Sequence, residues 1–199
     1  MMSTDNPGEG GTVPLFATPF TAVRTGADHA FNSRLAAQCE TDYRGRHDLL
    51  DLPGAAELKR LVLGRASAVV AGLGSMDVAE FGKLRVEARG WCSVVKRGEH
   101  VPAQHFPGAS WLAVYCVQAG ESDAGAQSAG VLRLYERRLG SIYRDASTWE
   151  LKPPFRYGNH TWTPSPGWMA LFPAHVPHEV SVARSDTALI LVFALLRYG

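Results

Sequence analysis

His178 is the side chain of this sequence best placed to do chemistry. It closes a run, residues 164–178, that reads as a turn, a short buried strand and a second turn. Pro164, Pro166 and Gly167 supply the first turn, since proline fixes φ and glycine tolerates positive φ. Trp168, Met169, Ala170, Leu171 and Phe172 form an apolar run of the kind a barrel interior buries. Pro173 and Pro177 lack backbone donors and do not belong inside a central strand. His178 is thereby left at the mouth of a strand continuing through Glu179 and Val180. A neutral imidazole there can ligate iron, copper or zinc. The alternative is a histidine that caps the turn or bonds a backbone carbonyl. His160 and His175, beside aromatic or proline residues, read as loop residues.

The chain that must position this histidine has 199 residues, enough for one domain with a real core. Residues 1–11 read as a flexible lead without a signal peptide's basic-then-apolar pattern, and residues 12–199 as a single domain. Apolar residues make up 46% and charged residues 20%, as in globular domains, and the net charge of +1 gives no electrostatic reason to expect nucleic acid or an anionic membrane. No apolar run reaches the length of a membrane-spanning helix. Cys39, Cys92 and Cys116 are odd in number and widely spaced, which suits neither a disulfide framework nor a zinc cluster and makes a reducing cytoplasm the expected setting.

The order of elements is helices first, then short strands. Pro14 and Pro19 punctuate an extended stretch, residues 12–23, suited to an edge strand, and its exposed part from Leu15 to Val23 can pair two chains into a homodimer. Asp28 caps a helix reaching about Thr41, with Phe31, Leu35 and Gln38 on one stripe. Residues 44–51 are charged and read as loop. Pro53 opens a second helix with Leu58, Leu61, Val62 and Val69 at helical spacing, ended by Gly72 and Gly74. From Lys83 the period becomes two: Leu84, Val86 and Ala88 alternate with Arg85, Glu87 and Arg89, a half-buried strand running on through Val95. Further strands are expected at 111–117, 131–136, 168–172, 180–182 and 189–195. The segment 118–130 is small and polar. The segment 140–159 is long enough to act as a lid, its aromatic residues Trp149, Phe155 and Tyr157, with Trp162 just beyond, either closing over an apolar substrate or packing the loop itself. Arg137, Arg138 and Arg144 read as a solvated basic patch.

Several of these stretches resemble, in order, the small bacterial 2-oxoglutarate/Fe(II) oxygenase-like proteins. Leu15, Phe16, Thr18 and Pro19 resemble their Leu-Phe-x-Thr-Pro opening. Trp91 followed by Arg97, Gly98 and Glu99 resembles a Trp-x-x-x-x-Arg-x-Gly-Asp turn. The run 107–117 resembles a His-Pro-Gly-Ser-x-Trp-Ser-Gly-Val-Tyr-Tyr-Val stretch, and Gly130, Leu132 and Leu134 a Gly-x-Leu-x-Phe strand. Pro164, Gly167, Phe172, Pro173, His178 and Val180 resemble the family's distal-histidine hairpin.

The resemblance implies a mainly β fold, a double-stranded β-helix (a jelly-roll or cupin-like barrel) with N-terminal helices packed outside. It implies Fe(II) and 2-oxoglutarate as cofactors and a small-molecule substrate that is hydroxylated or otherwise oxidised. His178 becomes the last iron ligand. His105 becomes the second, a catalytic metal ligand if a local bulge turns it inward, with Gln104 or a water completing the set and Glu99 and His100 as alternatives at the preceding turn. Two family positions are altered. Gln104 and Phe106 stand where the family has His-x-His, and Ala188 stands where an arginine grips 2-oxoglutarate. Arg133, if its side of the strand faces inward, can hold that carboxylate instead, with Tyr115 and Tyr135 as hydroxyl donors. The competing implication is a barrel without redox chemistry: a metal-independent cyclase or isomerase, or a small-molecule-binding protein.

Overall fold

The structure is a computed structural model describing residues 17–120, 129–136, 145, 151 and 158–199. In chain order its main elements are β1 (Thr21–Arg24), α1 (His29–Glu40), α2 (Ala56–Leu73), α3 (Val78–Phe81), β2 (Val86–Val95), β3 (Val101–Gln104), β4 (Trp111–Gln118), β5 (Leu132–Leu134), β6 (His160–Trp162), β7 (Trp168–Pro173), β8 (His178–Val180) and β9 (Leu189–Tyr198). They build two antiparallel sheets, one of five strands in the order β1-β7-β4-β9-β2 and one of four in the order β3-β8-β5-β6.

The large sheet is covered on both faces, which explains why β4 and β9 read as nearly unbroken apolar runs rather than alternating ones. Ala113, Tyr115, Met169, Leu171, Ile190, Val192 and Leu196 face the helices. Leu112, Val114, Phe172, Leu191 and Phe193 face the small sheet and meet its Leu132, Leu134 and Val180. Successive strand residues alternate between these two layers, as the pleat requires.

The helices are placed by their caps and stripes. Asp28, in extended conformation, accepts a hydrogen bond from the Phe31 amide at 2.7 Å and starts α1. Phe31, Leu35 and Cys39 recur every fourth residue and are buried, as are Leu58, Val62 and Ala66 of α2. Gly74 stands immediately after α2 as its C-cap.

Some elements differ from the sequence expectation. The extended stretch 12–23 narrows to β1, an edge strand paired only with β7; residues 1–16, and with them the start of that stretch, lie outside the described residues. Residues 49–51 and 53–55 form short 3-10 turns, with Leu49 and Leu50 buried against β2. Pro53 begins the second of these turns, and α2 itself starts at Ala56. β3 was not expected, because its Pro102 and Ala103 are exposed and no apolar alternation marks it. His160, read as loop, opens β6. Most of the proposed lid, with Trp149, Phe155 and Tyr157, and the arginines 137, 138 and 144 lie outside the described residues. No helix among the described residues is long and apolar enough to cross a membrane.

Candidate functional site

Gly167, at φ 80°, sits in the turn that launches β7, and its carbonyl accepts from Thr25 through both the backbone amide and the hydroxyl. β7 then runs through the core to Pro173, and a tight turn, closed by the Val176 amide bonding the Pro173 carbonyl at 3.0 Å, returns the chain into β8. His178 is the first residue of β8 and is fully buried. Its Nδ1 lies 2.9 Å from the Val176 carbonyl; a carbonyl only accepts, so Nδ1 carries the proton and Nε2 the lone pair. Nε2 is buried and has no hydrogen-bond partner among the described residues. Burial holds the His178 pKa below the ordinary histidine value, the Val176 carbonyl pulls it back, and the nearby charge of His105 adds to the lowering. The ring is neutral at neutral pH.

Aromatic rings surround it. Phe172, Phe106 and Phe193 have centroids 5.3, 5.9 and 6.5 Å from the imidazole. Trp91 stacks on Phe193 at 5.3 Å with 4° between planes and meets Phe106 edge-on at 5.4 Å. Directly opposite His178 across the β3–β8 pairing stands Gln104, whose Nε2 is also buried and has no partner among the described residues.

The bulge that the sequence reading needed does occur, but upstream: the β3–β8 register slips between Val101 and Gln104. By Gln104 the alternation is settled. Gln104 and Phe106 turn toward His178, and His105, between them, is exposed. His105 therefore does not join His178 at one point, as a shared metal site requires.

His105 instead lines a cavity of about 490 Å³ at the end of the inter-sheet core, together with Asp51, Glu87, Arg89, Phe106, Leu195 and Arg197 among others. The register of β2 on β9 arranges its wall as a ladder: Glu87 opposite Arg197, Arg89 opposite Leu195, and Trp91 opposite Phe193. Side chains two apart share a face, so the charged rungs stand on the same face as the stacked aromatic rung, Arg89 one step further out and the Glu87–Arg197 rung two.

The residues expected to hold 2-oxoglutarate lie elsewhere. Leu132 and Leu134 point into the core, so Arg133 points away from it, and its guanidinium donates to Glu179 at 2.9 Å. Tyr135 stands beside the same two side chains, and its hydroxyl pKa is raised, by burial first. Tyr115 lies on the helix-facing layer, where its hydroxyl donates to Asn32 and its pKa is pushed up to about 12, chiefly by burial. At the turn before β3, the Glu99 carboxylate accepts from the Lys96 amide at 2.9 Å, closing its own loop. His100 is exposed. Ala188 packs against the helix-side core.

Iron of the non-heme type needs three protein donors on one face. Among the described residues no group of three His, Cys, Asp or Glu side chains could hold a metal ion. The buried Nε2 of His178 suits one coordination bond, but Gln104 and the Phe106 ring occupy the positions from which further ligands would come. The residues present do not fit the iron centre.

No protein-family model matches the chain, and no curated protein matches it. Solved structures do share its fold. A prolyl-4-hydroxylase from Pseudomonas putida aligns over 89% of this chain and 86% of its own, with a TM-score of 0.60 at 15% identity. An oxidoreductase of the 2OG-Fe(II) oxygenase family from Burkholderia pseudomallei covers 91% and 84%, with a TM-score of 0.57 at 10% identity. The non-heme α-ketoglutarate-dependent epimerase SnoN from nogalamycin biosynthesis covers 91% and 79%, with a TM-score of 0.59 at 11% identity. The chain has the fold of the 2OG-Fe(II) oxygenases.

Sequence reasoning missed the Arg89–Leu195 and Glu87–Arg197 rungs. Their alternation with Val86 and Ala88 was visible, and Glu87 and Arg89 are exposed, but their pairing with β9 beside the cavity carries no local sequence signal.

Proposed function

We propose that this chain is a small-molecule-binding protein on a double-stranded β-helix of the oxygenase type, working without the iron centre. The observation that supports this reading is the Phe106 ring, which packs 5.9 Å from His178 where the resemblance implies a second metal ligand. His105 has moved to the rim of the adjoining cavity, and Arg133 is engaged with Glu179. The ligand enters that cavity, and His178 is a neutral hydrogen-bond acceptor beneath its aromatic floor.

A second reading, a 2-oxoglutarate-dependent iron oxygenase acting on a small organic molecule, is favoured by one observation: the unpartnered Nε2 of His178 is a lone pair that a metal would take. Anaerobic Fe(II) loading of the full chain, followed by 2-oxoglutarate titration, separates the two. The expected result is substoichiometric iron and no charge-transfer band. One iron per chain with a band that depends on 2-oxoglutarate would overturn the metal-free reading.

A further inference from the structure

Resting on the small-molecule reading, we propose that the cavity beside β2 and β9 takes an organic monocarboxylate with an apolar or aromatic body, its carboxylate on Arg89 and its body against Phe106 and Leu195. The charges around the cavity are unequal in how they are engaged. Glu87 is answered by Arg197 at 3.8 Å, and Asp51 by Lys59 at 2.9 Å. Arg89 has no ion-pair partner among the described residues, although it stands one rung from the Glu87–Arg197 pair. Its cross-strand neighbour is Leu195, which offers no counter-charge. Among the described residues the Arg89 guanidinium is thus the one beside this space of about 490 Å³ without an ion pair, and a planar carboxylate matches its two-pronged donor geometry. A phosphate dianion would call for more than the one guanidinium without an ion pair that the described residues place at the cavity.

The rest of the lining sets the body of the ligand. Phe106, Pro107, Ala109 and Leu195 form an apolar wall beside Arg89. Phe106 is held from behind by Trp91 and His178 rather than free to swing out, so it presents a fixed ring surface. A charged head above a fixed apolar floor is the pattern of a site that orients an amphipathic ligand.

The test compares phenylacetate with its neutral isostere 2-phenylethanol and the cation phenethylamine on the full chain, by ligand-observed NMR and calorimetry. Phenylacetate is expected to bind about tenfold or more tightly than either. Arg89→Gln is expected to remove that preference, with circular dichroism verifying the fold; Arg89 is exposed, so the substitution leaves the core intact. Phe106→Ala should weaken all three probes together. Charge-blind binding, or a preference that survives Arg89→Gln, would overturn the carboxylate assignment while leaving the small-molecule reading standing. Displacement of phenylacetate by an equal concentration of inorganic phosphate would overturn it in favour of a phosphate site. Carboxylate binding that requires added Fe(II) would overturn the metal-free reading and this inference together. No binding of any probe at millimolar concentration would overturn the inference.

Discussion

Gln104 and His178 face each other across the β3–β8 pairing, and each carries a buried side-chain nitrogen with no hydrogen-bond partner among the described residues. The two orphans are complementary: the amide nitrogen donates and the imidazole Nε2 accepts. One hydroxyl, from water or ligand, would satisfy both by accepting from Gln104 and donating to His178.

Replacing the amide tests what these groups cost. An unpaired buried polar group carries a penalty of about 1–3 kcal/mol. In the absence of ligand, Gln104→Leu is therefore expected to raise the urea midpoint, by about 1 kcal/mol of stability. A fall in the midpoint would show that a bound water already satisfies the amide.

The histidine makes stability depend on pH. Burial lowers the His178 pKa in the folded state, so below about pH 6.5 the unfolded chain binds a proton that the folded chain resists. Stability should hold above neutrality and fall as pH drops through the unfolded value toward the depressed folded one. His178→Gln should flatten that part of the curve. Chemical denaturation from pH 8 to pH 5 measures it, and an unchanged slope in the variant would sink the assignment.

The Trp91–Phe193 stack closes the core beneath the cavity. Phe193 is fully buried, and Phe193→Ala is expected to cost about 3–5 kcal/mol. A double-mutant cycle of Trp91→Leu with Phe193→Leu should return a coupling of about 0.5–1.5 kcal/mol, the share belonging to ring geometry rather than area. Independent effects would show that the rings merely fill space.

Gly90 lets the 49–51 turn seat on β2. A Cβ there would stand 2.7 Å from Leu50 Cγ. Gly90→Ala is expected to destabilise by about 1–3 kcal/mol. Leu50→Ala should relieve that clash, so the double variant should be more stable than the two single losses summed. Thermal unfolding of the four proteins decides it.

Where local chemistry dictates a local element, the sequence was legible. Asp28 and the stripe begun by Phe31 and Leu35 placed α1 to within one residue of the observed end, with Cys39 rather than Gln38 completing the buried face, and the Pro-Gly turn with its apolar run placed β7. The position of His178 at the start of a strand followed from the prolines around it. β3 was not legible: four residues, two of them exposed, carry no pattern, and the strand exists because β8 lies alongside it.

By itself, then, the sequence determined the order of elements, the caps and turns that end them, and which residues alternate along each strand. Only the tertiary structure decided which side of each alternation is inside. The pleat gives Arg133 and Leu132 opposite faces but does not say which face meets the other sheet, and Arg133 fell outside, onto Glu179. The same pleat put Gln104 and Phe106 beside His178 and sent His105 to the cavity rim. It also carried Arg89 to the rung between Trp91 and Glu87, on the cavity wall. Sidedness is set by the partner strands and by what covers each face, and those partners lie as far away in sequence as β2 does from β9.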